Sequence, residues 1–69
     1  MIDLHTSEMH IREELLNICQ NAPVDPGSTI SHTTADACVN RGWATRDSKG
    51  NFVPTACGIE EGVRTHDAR

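Results

Sequence analysis

The stretch ACVNRGWATRDSKGNFVPTACG, Ala37 to Gly58, decides the fold of this chain. It opens with the apolar pair Cys38 and Val39 on the end of a helix and closes that helix at Gly42, the residue type that most readily takes the left-handed conformation at a helix end. Trp43 follows directly, placed to fold back on the last turn as a hydrophobic contact. WATR and FVPT, residues 43–46 and 52–55, read as short extended segments about the polar, Gly50-containing turn DSKGN, which makes a small hairpin. Pro54 cannot donate to a strand ladder, so the second strand is expected at an edge or at its own end. Thr55 is positioned to cap a last short helix, ACGIEEGV, in which Ile59 and Val63 lie one turn apart. Gly58 and Gly62 weaken that helix in isolation, so packing has to hold it.

Upstream, TSEMHIREELLNICQNA sets Ile11, Leu15, Ile18, Cys19 and Ala22 on one helical face, with Thr6 or Ser7 as cap and Pro23 as stop. Arg12, Glu13, Glu14, Asn17 and Gln20 fill the other face, whose ordinary partner is solvent. Two prolines and a glycine make PVDPGSTIS, residues 23–31, a loop with its bend at Asp25 to Ser28. A second helix is expected from Ser31 to Gly42, capped by Ser31 or Thr33, with Thr34, Ala35, Cys38 and Val39 facing the core. RTHDAR, residues 64–69, has no apolar anchor and is expected as a frayed tail. The order is helix, loop, helix, hairpin, short helix: a mainly α single domain, residues 1–69, with a small β-hairpin.

The totals bound the function. A chain of 69 residues buries only a thin core, for which self-association as a homodimer is a common remedy. Six Lys and Arg against ten Asp and Glu give a formal charge of −4, the opposite of what a phosphate backbone attracts. No stretch is apolar enough to cross a bilayer and the N-terminus lacks the pattern of a secretory signal, so a cytoplasmic protein is expected. Three cysteines, Cys19, Cys38 and Cys57, are equally spaced and lack a close C-x-x-C pair, so they read as reduced thiols at apolar helix positions rather than as zinc ligands. No metal and no cofactor is expected.

A helix ending in Arg41-Gly42 before Trp43, then Arg46 and Asp47, Gly50, Phe52, Thr55 and Gly58, resembles the winged helix-turn-helix family of small bacterial and phage repressors. The likeness covers Thr33 to Val63. It implies a winged-helix-like fold in which the helix before the hairpin enters the major groove and the hairpin is a wing on phosphates. Carried over, His32, Thr33, Asp36, Asn40 and Arg41 line the reading face, Arg46 and Lys49 sit on the wing, and duplex DNA is the partner of a dimer. The family has three helices before the wing. Here the PVDPGSTIS loop occupies the place of the middle one, so the motif is abbreviated.

A second class of function is a protein-binding module. Glu8, Glu13, Glu14, Asp36, Glu60 and Glu61 could steer the chain toward a basic, nucleic-acid-binding host protein. Phage-encoded inhibitors of the anti-CRISPR and anti-restriction kind are similar to this chain in size and charge. An enzyme is not expected, because the sequence carries no phosphate-binding glycine loop, no nucleophile elbow and no metal-ligand histidine pair at helical spacing.

Overall fold

Helix α1 (Glu8–Asn21) buries one stripe, with Ile11 at 4 % exposure and Leu15 and Ile18 at 0 %. Helix α1 is the floor against which α2 (His32–Asn40) and α3 (Ala56–Asp67) both pack, and its stripe forms the core with residues of α2 and of the segments that follow α1 and α2. The computed structural model describes residues 8–67, so the caps expected at Thr6 or Ser7 and the last two residues of the tail lie outside the described residues. Cys19 is half-buried at the edge of the stripe, whereas Ala22, beyond the helix end, is exposed. Leu16 joins the buried set.

The chain leaves α1 at Asn21 and becomes extended at Val24, whose backbone exchanges two hydrogen bonds with Phe52 (2.9 and 2.8 Å). Asp25 then caps a single 3-10 turn, Pro26–Ser28, accepting from the Gly27 N–H at 2.6 Å and the Ser28 hydroxyl at 3.0 Å. The segment between α1 and α2 thus holds one 3-10 turn and no α-helix.

Helix α2 starts in a capping box. Ser31 Oγ accepts from the Thr34 N–H while Thr34 Oγ1 accepts from the Ser31 N–H, both at 3.1 Å, so two free helix-end donors are satisfied reciprocally. Thr34, Ala35 and Cys38 are buried as their spacing predicts, and Val39 packs at the margin. The helix closes with Arg41 as cap and Gly42 at φ 79°. Trp43 N–H reaches Cys38 O at 2.9 Å and Gly42 N–H reaches Val39 O at 3.0 Å, the paired bonds of a Schellman end.

Strands β1 (Ala44–Arg46) and β2 (Phe52–Pro54) form the antiparallel hairpin, with Ala44 opposite Pro54 and Arg46 opposite Phe52. Asp47 organises its turn by accepting from the N–H groups of Lys49 (2.8 Å) and Asn51 (2.9 Å). Phe52 is 2 % exposed and drives β2 into the core between Val24 on one side and β1 on the other.

Thr55 caps α3 by accepting from the Gly58 N–H at 3.0 Å. Its own N–H donates to Trp43 O at 2.9 Å and its hydroxyl to Gly42 O, which ties the start of α3 to the end of α2. Gly58 lies so close to this junction that a Cβ built there would stand 1.8 Å from Trp43 O. The helix does not end at Val63 with a frayed tail after it. It continues through Asp67, because Arg12 reaches across from α1 to Glu61 (3.1 Å) and Thr65 (2.8 Å) and docks the last turns. The architecture is mainly helical with a small antiparallel hairpin, in the order the sequence predicts.

Candidate nucleic-acid interface

The stretch that closes α2 also turns its polar side outward. His32, Thr33, Asp36 and Asn40 are exposed, since Thr34, Ala35 and Cys38 claim the inner face of the same helix. Thr33, Asp36, Ala37, Asn40 and Arg41, with Ile11 beneath, line an open groove of about 450 Å³. The expected reading-face residues, His32 apart, are therefore gathered along one depression. Arg46 and Lys49 lie on the hairpin, both exposed. The Arg46 guanidinium sits 4.6 Å from the centre of the Phe52 ring, a cation–π contact that holds its stem against β2.

Arg41 does not stand free at the end of the groove. Its Nη1 donates to Glu8 Oε2 at 2.7 Å, and the same oxygen accepts from Arg12 Nε at 2.9 Å. The Arg41 hydrogen bond, foremost, with the charges of both arginines, holds the Glu8 carboxyl below its ordinary value against the opposing effect of burial. The same bond raises Arg41 in turn. Both guanidiniums also lie against the Trp43 ring, at 5.0 Å for Arg41 and 5.2 Å for Arg12. Through Glu61, which accepts from Arg12 at 3.1 Å and from Arg64 at 3.4 Å, a line of alternating charges runs from the end of α2 across α1 to α3. Of this network the Glu8–Arg12 and Glu61–Arg64 pairs, four and three residues apart on their helices, are legible from spacing. Glu8 and Arg41 are brought together by the fold alone.

The six acids expected as a docking field are divided by the structure. Glu8 and Glu61 are engaged in that network, Glu13 is half-buried, and Asp36 and Glu60 are exposed. Glu14 is corrected outright: expected on a solvent face, it is 0 % exposed. The loop after the 3-10 turn points its donors at α1, and Glu14 Oε1 accepts from Ile30 N–H at 2.7 Å, Thr34 Oγ1 at 2.8 Å and Ser31 N–H at 3.4 Å. Asn17 Nδ2 donates to Oε2 at 2.8 Å. A carboxylate with four donors is what joins α1 to the start of α2, and it has no surface to offer a partner.

The three thiols are free. Cys38 is buried, donates weakly to Ile11 O at 3.4 Å and is pushed up to about 12, chiefly by burial and then by the charge of Glu14. Burial also raises Cys19. Cys57, expected at an apolar helix position, is exposed, because Gly58 rather than Cys57 takes the inner position at the start of α3. Among the described residues no group of three or more His, Cys, Asp and Glu side chains is gathered as for a metal ion, and no helix is long and apolar enough to cross a membrane. Compared with known proteins, the chain matches no family model, no curated protein and no solved structure.

Proposed function

We propose that this protein is a small cytoplasmic, non-enzymatic DNA-binding regulator of winged-helix type, acting as a dimer. The observation that carries the reading is the distribution of unpaired positive charge. Among the described residues Arg12, Arg41 and Arg64 are each paired with a carboxylate, whereas Arg46 and Lys49, both on the hairpin, are in no ion pair. A wing that carries the unneutralised cations of an acidic protein is suited to phosphates. The outer face of α2 then lies toward the major groove, with Asn40 matched to an adenine edge and Arg41 to a guanine edge once a base takes the place of Glu8.

Fluorescence anisotropy with a labelled random-sequence duplex tests this across a salt series. Two wing cations per protomer give a slope of log K against log salt of about −1.8, or about −3.6 for a dimer using both wings, and Arg46→Ala with Lys49→Ala removes it. Absence of any salt-dependent affinity rejects the reading.

One observation favours a second reading. With Arg41 neutralised by Glu8, the exposed charge left in the α2 groove is that of Asp36, which fits a cationic partner better than a phosphate. On that reading the chain is an inhibitor docking on a basic, nucleic-acid-binding host protein. Capture of such a protein from lysate, lost on Asp36→Lys, supports it over DNA binding.

A further inference from the structure

Helix α3 leaves Ile59 and Val63, one turn apart, 53 % and 58 % exposed. They border an apolar trough of about 220 Å³ whose floor includes Leu16, Cys19 and Gly62. Two large aliphatic side chains side by side over an apolar floor are not what an isolated small domain leaves in water. On the flank of α3 away from α1 stand Glu60 and Arg64, also one turn apart and both exposed.

We infer that α3 is the surface through which two copies of this chain pair antiparallel about a twofold axis. The charge order selects that occupant. A twofold crossing α3 at the level of Glu61 sets Ile59 against Val63 of the partner subunit, and the converse. The same rotation keeps each flank on its own side and reverses its direction, so Glu60 lies within about 3 Å along the axis of the level of the partner's Arg64, and Arg64 of the partner's Glu60, an offset that these long side chains span. A flank with one acid and one base in sequence is thus complementary to its own reverse, whereas a parallel pairing, with its twofold along the helix, carries the partner's flank to the opposite side and leaves both charges unmatched. The groups are available for it. Among the described residues Glu60 is in no ion pair, and Arg64, with its side chain 69 % exposed, has one ion-pair contact, at 3.4 Å, to a Glu61 that Arg12 already holds at 3.1 Å. Neither α2 nor the hairpin contributes to the trough, so pairing leaves the proposed DNA face uncovered. The inference supplies a surface for the dimer proposed above, yet it is measured without DNA and stands or fails apart from that reading.

Sedimentation equilibrium of the full chain, from low micromolar to several hundred micromolar, tests it, with far-UV circular dichroism on each variant to establish folding. The wild type is expected to pass from monomer to dimer over this range. Val63→Glu places two unpaired carboxylates in the apolar contact and is expected to raise the dissociation constant by about a hundred-fold or more. Glu60→Arg and Arg64→Glu singly each weaken the dimer by about five-fold, and the double exchange, which restores opposite charges in reversed order, returns it to within about two-fold of wild type. A wild type that is monomeric throughout, a folded Val63→Glu protein that still dimerises, or a double exchange no better than the singles overturns the inference. The charge-exchange series decides the matter alone should Val63→Glu lose its fold.

Discussion

Replacing Gly58 by Ala tests the junction that holds the hairpin to α3. In an ordinary helix this change is favourable by up to about 1 kcal/mol. Here the new methyl would stand 1.8 Å from Trp43 O and 2.7 Å from Trp43 C, both backbone atoms. Ordinary contact begins at 3.4 Å, so α3 must retreat by 3.4 − 1.8 = 1.6 Å. That retreat breaks the Thr55 N–H bond to Trp43 O at 2.9 Å and disturbs the Thr55 hydroxyl bond to Gly42 O. Two hydrogen bonds at about 1 kcal/mol each, plus about 1–3 kcal/mol of overpacking, outweigh the propensity gain and leave a net loss of about 2–4 kcal/mol. A domain of this size rarely holds more than about 3–5 kcal/mol, so Gly58→Ala is expected to be largely unfolded at 37 °C. Gly62→Ala is the control. Its methyl would meet Cys19 Sγ at 3.0 Å, the movable end of a side chain, so stability should stay within about 1 kcal/mol of wild type. Urea denaturation followed by tryptophan emission and far-UV circular dichroism reads both. If the two variants are equally stable, the close approach of α3 to the Trp43 carbonyl is refuted.

Glu14→Ala takes the acceptor from the part-buried Ile30 N–H, leaves the Thr34 hydroxyl only its Ser31 partners and opens a hole where a fully buried side chain stood, and should cost about 3 kcal/mol, whereas Glu14→Gln keeps one acceptor and should cost about 1 kcal/mol by urea denaturation. The Glu8 carboxyl is depressed by folding, so its contribution to stability is fully present above the ordinary value of 4.5 and is lost as pH falls through the lowered one. The pair is exposed, so acid titration of the melting temperature should differ between wild type and Glu8→Gln by the equivalent of less than about 1 kcal/mol. The same variant frees Arg41 and should steepen the salt slope of duplex binding by about 0.9 per protomer; an unchanged slope removes Arg41 from the reading face. Maleimide should label Cys57 in the native protein and reach Cys38 only on unfolding, a difference that peptide mass mapping measures.

Helices α1 and α2 are legible in the sequence because their information is local: Ile11, Leu15 and Ile18 at helical spacing, a Ser31–Thr34 capping box, and a glycine just past the end of α2, where the chain needs positive φ. The hairpin is legible for the same reason. Glu14 is misread because periodicity counts a charge as solvent-facing, and the donors that bury it come from residues 16 to 20 positions later. The extension of α3 to Asp67 depends on Arg12, 53 residues from Thr65, which no local rule anticipates. Of the candidate site, the exposure of His32, Thr33, Asp36 and Asn40 follows from which residues of α2 are apolar. The neutralisation of Arg41 by Glu8 follows only from the three-dimensional fold, and it is the feature that most changes what the groove can bind.

The Trp43 ring, with two guanidiniums against it, gives the protein its own optical probe. The chain has one tryptophan and no tyrosine, so its ultraviolet emission is essentially that of this indole. A ligand that draws Arg41 off Glu8 also lifts a cation from the ring face, and the emission registers the event without a label. Contact made only by the wing, through Arg46 and Lys49, leaves the indole silent, so a single titration separates a chain that merely adheres to DNA from one that reads it.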